Sequence, residues 1–265
     1  MPVIKNLGWT FDTASTTYDK MRPGYPAELY KALFSYLPIG TDSRVVEVGP
    51  GAGQATLPVL QTGCTLTAVE YGKNFSDLCR EKFRDFPGFS VITGKFEDTS
   101  FAENSVDLVF SATAFHWIPE ETGYPKVFAM LRHGGAFARF ANHPYRWKGN
   151  LPLAEEIDRL YERYYYKYYG TDPEPQKEFG EEQAEKISRI AEKYGFEDIR
   201  YSLFHRVRTF SPQEYSTLLG TYSNHIAIEE GIRTEFFAKI EEAIQKHGGE
   251  IRLCDTIDLE LARKP

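Results

Sequence analysis

Residues 45–56 read VVEVGPGAGQAT, an apolar β-branched run that breaks into Gly49, Gly51 and Gly53 ahead of a helix-forming stretch. A turn this poor in side chains lets a ligand lie against the backbone, with the N–H groups of the following helix facing it. The same run opens a longer pattern. Short β-branched stretches at 44–48, 65–70, 89–93, 106–111 and 136–142 alternate with helix-like stretches that begin at Gly53, Lys73 and Tyr124. Alternation of that kind builds a mostly parallel sheet with helices on both faces.

Beyond residue 142 the alternation gives way to a helix over 153–168, then Pro173 and Pro175, then a helix over 181–194. Strands near 201–210 and 250–262 are expected to complete the sheet as an antiparallel pair, with helical stretches at 212–219 and 230–247 between them. At 265 residues, one large domain or two small ones can bury a core. Because the insertions carry no strand set of their own, a single α/β domain over 1–265 is expected, doubly wound around a seven-stranded sheet. Its parts are an N-terminal segment over the site (1–30), a core (31–142), helical cap insertions (151–178 and 211–247) and closing strands (201–210 and 250–262).

The chain is 42% hydrophobic and 26% charged, the balance of a globular protein and not of a disordered one. Lys and Arg number 31 against 38 Asp and Glu, a net charge of -7, and neither half is basic. A sequence-independent grip on nucleic acid needs clustered positive charge, so no nucleic-acid partner is expected. Cys64, Cys79 and Cys254 are widely spaced, with no CxxC pair and no histidine cluster. They read as buried, reduced thiols with no disulfide or metal site. The chain lacks a charged start followed by an apolar run, and no stretch approaches the ~18 apolar residues of a membrane span. A cytoplasmic monomer or homodimer with no membrane partner is expected. Aromatic residues are in surplus at 15%, with 17 Tyr and 19 Phe.

Spacing separates three readings of the glycine loop. A phosphate-cradling loop needs Gly-Lys-Ser/Thr after the glycines, where Gln54, Ala55 and Thr56 stand. A dinucleotide fingerprint needs a third glycine three residues after Gly51, a place held by Gln54, and Glu47 brings negative charge toward the pyrophosphate position. Glu47 fits instead a ligand with a positive group, such as the ammonium of an amino acid. The second strand ends in Glu70, 17 residues after Gly53, where a carboxylate can accept both hydroxyls of a ribose. Tyr71, next to it, can lie on a flat base.

Glu47-x-Gly49-x-Gly51-x-Gly53 followed by Glu70 resembles motif I and the acidic second-strand end of the class I S-adenosylmethionine-dependent methyltransferases. The resemblance implies a Rossmann-like fold, S-adenosylmethionine as cofactor, S-adenosylhomocysteine as product and a small-molecule methyl acceptor. It extends to GKFEDTSF (94–101) and VDLVFSATAFHWI (106–118), which in the family hold the adenine edge and the methionine and substrate side. By that match Phe96 offers its backbone N–H and ring near the base. Lys95 stands where the family often has an acid, Glu97 is a candidate replacement, and Ser111 lies on the cofactor side of the fourth strand. FDTASTTYDKMRPGYP (11–26) and the AFHW tetrapeptide (114–117) are similar to the trans-aconitate and ubiquinone-biosynthesis-like subgroup, in which the N-terminal segment folds over the cofactor. That likeness places Tyr18, Arg22 and Tyr25 nearest the site.

Methyl transfer from a sulfonium is an in-line displacement that needs no metal, and aromatic faces suit the positive sulfur. His116 is the best-placed base if the acceptor has a proton to lose, and otherwise a packing histidine that shapes the pocket. A carboxylate acceptor needs no base. Trp117 reads as a pocket wall or core aromatic. Arg22 can clamp a carboxylate or pair with a surface Asp. The run YERYYYKYY (161–169) holds six of the tyrosines. On a helix it places Tyr161, Tyr164, Tyr165 and Tyr168 on one face, as a packed helix or as a lid with Tyr165 on the acceptor. Tyr222 and His225 share a helical side that either packs in the core or reaches the pocket mouth. Two other readings stay open: a protein that binds S-adenosylmethionine without catalysis, and a nicotinamide oxidoreductase.

Overall fold

A computed structural model of the chain describes residues 21–265. Tyr18 lies outside the described residues. Seven strands, β1 (Arg44–Val48), β2 (Thr65–Glu70), β3 (Phe89–Thr93), β4 (Val106–Ala112), β5 (Leu131–Arg146), β6 (Glu197–Phe210) and β7 (Ile251–Arg263), form one sheet in the order β3-β2-β1-β4-β5-β7-β6. The pairs among β1 to β5 are parallel. β7 runs against β5, since Gly134 N–H bonds to Lys264 O and Trp147 N–H to Arg252 O. It also runs against β6, with Arg263 beside Asp198 and Arg206 beside Asp255. The sheet is therefore mixed, as expected. The helices used below are α1 (Ala27–Tyr36), α2 (Thr56–Leu60), α3 (Lys73–Lys82), α4 (Glu120–Met130), α5 (Leu151–Leu160), α6 (Glu181–Ser188), α7 (Pro212–Leu219), α8 (Ser223–Ile226) and α9 (Glu230–Lys246). Among the described residues, no helix is long and apolar enough to cross a membrane.

The chain divides into two compact units. The first comprises 23–143, 179–204 and 256–265. Apart from the edge strand β3, which is largely exposed, β1, β2, β4 and the middle of β5 are buried on both sides, with Val45, Leu66, Leu108, Phe110 and Ala138 in one apolar cluster with α1, and Val46, Val48, Val109 and Phe137 in another with α4. Burial on both faces explains why these strands read as unbroken apolar runs and not as alternating ones. Among the described residues, the second unit comprises 21–22, 144–178 and 205–255. Its core gathers Leu153, Ile157, Tyr161, Tyr165, Leu218, Phe236 and Ile240 from α5, the tyrosine run, α7 and α9.

Several boundaries differ from the sequence reading. The helix after the glycine loop starts at Thr56 and not Gly53, because Gly53 sits at φ +78°, outside any right-handed helix. α4 starts at Glu120 and not Tyr124: Glu120 and Glu121 fill its first turn, where acids favour the helix start, while Gly123 and Pro125 obscure the pattern. β5 begins at Leu131 and not residue 136, since a register shift between Val106 and Leu108 absorbs the Gly134–Gly135 pair that reads as a turn. β6 starts at Glu197, four residues before the expected 201. Among the cysteines, Cys254 is only half-buried.

The largest departure lies in the tyrosine run. Residues Tyr161–Tyr166 form a π-turn between α5 and a last helical turn at Lys167–Tyr169. The wider i→i+5 pitch of a π-turn shifts the residues after it by about one position around the axis. Tyr166 is consequently buried, and Tyr168, expected on the inner face, is 40% exposed.

Candidate active site

β1 delivers Glu47 and Val48 to the glycine loop, and Gly49 N–H bonds to Val69 O at 2.9 Å. Gly49 has φ +69°, and a Cβ there would stand 2.5 Å from Ala114 Cβ. A Cβ on Gly53 would meet the Phe83 ring at 2.5 Å. Both glycines are thus required by backbone and by space. The loop is held from α3, where Cys79 Sγ lies 3.2 Å from Gly51 O and Lys82 Nζ 2.8 Å from Ala52 O. These contacts occupy its carbonyls.

Glu47 is fully buried, and its Oε2 accepts the Thr56 hydroxyl at 2.7 Å. Its Oε1 is buried without a partner. Burial, partly offset by Thr56 and reinforced by the negative charge of Glu70, pushes the carboxyl up to about 8. An unpartnered carboxylate oxygen at the rim of a glycine loop fits an ammonium group. Glu70 accepts Gly51 N–H on Oε2 at 3.0 Å and Gly72 N–H on Oε1 at 2.8 Å. The carboxylate thereby shapes both turns. Tyr71 is 56% exposed. Ser111 Oγ donates to Val48 O at 2.8 Å and ties the ends of β4 and β1 together.

After β3, Phe96–Asp98 form a single 3₁₀ turn preceded by exposed Lys95, with Glu97 half-buried. The Phe96 ring does not present itself to a base: it is buried in the core, and Lys126 Nζ lies 4.9 Å from its centre. After β4, Thr113 has φ +55°, rare for a β-branched residue, and its Oγ1 is 2.7 Å from Tyr25 OH. Asn142 N–H reaches the same Oγ1 at 3.3 Å. Tyr25 packs edge-on against Phe140. Gly24 lies close enough to Gln54 that a Cβ on it would be 3.5 Å from Gln54 O. The 24–25 segment therefore borders the glycine loop and the β4 end together.

His116 and Trp117 follow on a 3₁₀ turn, their rings 5.0 Å apart, and each keeps an exposed edge. The near-neutral pKa expected for His116 is corrected: desolvation, then Arg139 and His143, push it down to about 4. The imidazole is neutral at physiological pH. Sequence reasoning also missed a buried polar chain on β5 and β7. Arg139 Nη1 bonds to Tyr124 OH at 2.6 Å and Nε lies 3.4 Å from Glu260, while Asp258 accepts Ala141 N–H at 2.7 Å. Its signal was the acid at every second position, Asp258 and Glu260, within an apparent strand.

Tyr25, Glu47, Gly49, Gly51, Gly53, Glu70, Tyr71, Lys95, Phe96, Glu97, Ser111, His116 and Trp117 lie in the first unit, and Arg22, Tyr165 and Tyr222 in the second. Arg22 contacts residues of its own unit. Its Nε bonds to Thr221 Oγ1 at 3.0 Å, and its guanidinium lies 4.2 Å from the Tyr222 ring centre. Tyr165 is fully buried and accepts from Asn224 Nδ2 at 2.8 Å, which makes it a core ring and not an exposed pocket wall. His225 is also fully buried, 3.0 Å from Tyr161 OH, as core packing requires.

Residues 46–138 match the family described as methyltransferase domain. An uncharacterized methyltransferase of Schizosaccharomyces pombe is 25% identical over 242 residues, which cover 90% of this chain and 88% of that one. Among solved structures, a candidate type II methyltransferase of Anaeromyxobacter dehalogenans superposes with a TM-score of 0.58 at 20% identity, over 91% of this chain and 97% of that one. Phosphoethanolamine N-methyltransferase 2 of Haemonchus contortus, solved with phosphomonomethylethanolamine and S-adenosylhomocysteine, gives 0.56 at 16% identity over 100% of this chain and 61% of that one. At these identities the structural likeness is one of fold. With the methyltransferase domain lying on the segment that carries the glycine loop, and a methyltransferase relative matched along 90% of this chain, the chain is an S-adenosylmethionine-dependent methyltransferase of Rossmann-like fold.

Proposed function

We propose that the chain methylates a small-molecule acceptor through an oxygen nucleophile, a carboxylic acid among the candidates, within the trans-aconitate and ubiquinone-biosynthesis-like subgroup. The observation that carries the site assignment is the buried, unpartnered Oε1 of Glu47 beside the glycine loop. In this reading Glu47 takes the ammonium of the cofactor, the Gly49–Gly53 turn takes its backbone-facing edge, and Glu70 takes the ribose. Tyr71, with Lys95, Glu97 and the backbone of Phe96, borders the base, and Ser111 fixes the strand end beneath the sulfur.

S-adenosylmethionine, when bound, supplies a methyl group on a positively charged sulfur. The chain's own residues contribute orientation, since holding reactants in line is worth ~7–11 kcal/mol. Tyr25, His116 and Trp117, all in the first unit, form the acceptor side. His116, being neutral, has one ring N–H to donate to a carboxylate acceptor, which has no proton to lose, so the ring does not need to change charge. The organisation proposed is a single domain with 151–178 and 211–247 as insertions, acting as a cytoplasmic monomer or homodimer.

Isothermal titration with S-adenosylhomocysteine tests the cofactor site, and a panel of small acids, phenols and amines with methyl-labelled cofactor tests the acceptor. Label recovered as methyl esters of the acids or methyl ethers of the phenols supports the reading. Label transferred only to amines, or no binding of either cofactor form, overturns it.

A further inference from the structure

Two buried polar side-chain atoms around the glycine loop have no hydrogen-bond partner: Glu47 Oε1 and Gln54 Nε2. They have opposite character. A carboxylate oxygen only accepts, while an amide nitrogen only donates. They border the same turn, because the 2.7 Å bond from the Thr56 hydroxyl to Glu47 closes the loop back onto the end of β1, and Gln54 stands two residues before Thr56. Gly24 lies near this turn as well, since a Cβ on it would be 3.5 Å from Gln54 O. A buried amide N–H₂ without an acceptor costs free energy, as does the lone carboxylate oxygen, unless a ligand supplies both complements.

A ligand that satisfies both atoms at once presents an ammonium and a carboxylate a few ångströms apart, which is the α-amino-acid end of S-adenosylmethionine. We propose that Gln54 donates to the carboxylate of the cofactor and thereby selects cofactors that carry an intact amino-acid end over those that lack the carboxylate. The sequence pattern gives Gln54 no such part, since it stands where a dinucleotide loop has its third glycine. A glycine there would leave the carboxylate with backbone contacts only. Glutamine adds a directed donor on a short, enclosed loop, and its neutral amide avoids a second buried charge beside Glu47. This inference rests on the cofactor reading above and adds a specificity determinant to it.

The experiment is a calorimetric titration of three ligands into the full-length wild-type chain, Gln54→Leu, Gln54→Glu and Glu47→Gln. The ligands are S-adenosylmethionine, decarboxylated S-adenosylmethionine, which keeps the sulfonium and ammonium, and 5′-methylthioadenosine, which has neither amino-acid group. Wild type is expected to prefer S-adenosylmethionine to the decarboxylated form by roughly ten- to a hundredfold, the range of a hydrogen bond to a charged group. Gln54→Leu should remove most of that preference by weakening S-adenosylmethionine alone. Gln54→Glu, which places a negative charge against the carboxylate, should reverse it. Glu47→Gln should weaken both ammonium-bearing ligands and leave 5′-methylthioadenosine unchanged.

Wild type binding the decarboxylated form as tightly as S-adenosylmethionine overturns the role of Gln54 while leaving the cofactor reading intact. So does a preference that survives both Gln54 variants. Failure of wild type to bind any of the three overturns the cofactor reading itself. Gln54→Glu keeps the size and shape of the native side chain while changing its hydrogen-bonding character, so it serves as the test if Gln54→Leu does not fold.

Discussion

The Thr56 hydroxyl donates to one oxygen of Glu47 at 2.7 Å and leaves the other oxygen of the same buried carboxylate unpaired. Thr56 begins α2 and Glu47 belongs to β1, so this bond fixes how the chain turns from strand to helix. It also aims an acceptor at the loop. Half of the carboxylate is structural, and half remains for a ligand.

Binding should be linked to protons. With its carboxyl held up at about 8, Glu47 is mostly protonated at pH 6 to 7 and must ionise to pair with an ammonium. Affinity for S-adenosylhomocysteine is therefore expected to rise with pH up to about 8, with proton release on binding. Titration in buffers of different ionisation heat measures that release, and Glu47→Gln should abolish it. A binding enthalpy independent of buffer would contradict the assignment.

The same shift has a stability consequence of opposite sign. The folded state keeps a proton on Glu47 from its ordinary carboxyl range up to about 8, whereas the unfolded chain has already lost it. Stability conferred by the raised value is present at low pH and is lost as pH climbs through that window. Glu260, raised by burial and by its neighbour Asp258, acts in the same direction. Urea unfolding of the ligand-free protein should give a midpoint that falls from pH 5 to pH 9, and Glu47→Gln should flatten the fall.

Glu70→Ala should weaken S-adenosylhomocysteine binding by more than the loss of ribose contacts alone. Hydrogen bonds to a charged group are worth roughly 1.5–3 kcal/mol each, so one lost contact is about ten- to a hundredfold in Kd. Removing Glu70 also releases the N–H groups of Gly51 and Gly72. The adenosine fragment, which keeps the ribose, should lose affinity too. Unchanged calorimetric affinity would place the ribose elsewhere.

His116→Asn is expected to leave the shape of the pH–rate profile between pH 6 and 9 unaltered, because an imidazole pushed down to about 4 does not titrate there. The rate itself should fall by less than about tenfold, below the usual contribution of a general base. Loss of an inflection near pH 6.5 in this variant would restore His116 as the base.

In the second unit, Tyr161→Phe leaves His225 Nε2 buried without its 3.0 Å partner. The expected cost is ~1–3 kcal/mol of unfolding free energy, the penalty for an unsatisfied buried group. Chemical denaturation reads it directly, and a cost near zero would mean that the imidazole finds another partner.

The sequence resolves the first four strands and the site's backbone because each rests on local signals: β-branched runs mark the strands, unbroken where both faces are buried as in β1 and β4, and glycines mark positive φ. β5 was shortened because Gly134 and Gly135 look like a turn, and only the pairing with β4 shows them to be a strand irregularity. The aromatic ring of Phe96 and the imidazole of His116 were misjudged for a different reason. Burial and neighbouring charge belong to the tertiary environment, and Arg139 lies 23 residues from His116 along the chain. Nor does spacing show that Thr56 satisfies half of Glu47, or that Gln54 is left with an idle donor.

The π-turn at Tyr161–Tyr166 has a consequence in counting. It holds one residue more than an α-helix would use to reach the same height, so the tyrosines after it are rotated as a block. A chain shorter by one residue in this stretch would bring the block back by about 100° and turn the aromatic position after it inward. Which phenol meets water and which meets protein in this part of the chain is thus governed by length as much as by residue type. A relative that lacks the extra residue would carry the same tyrosine-rich composition with a different ring in its interior.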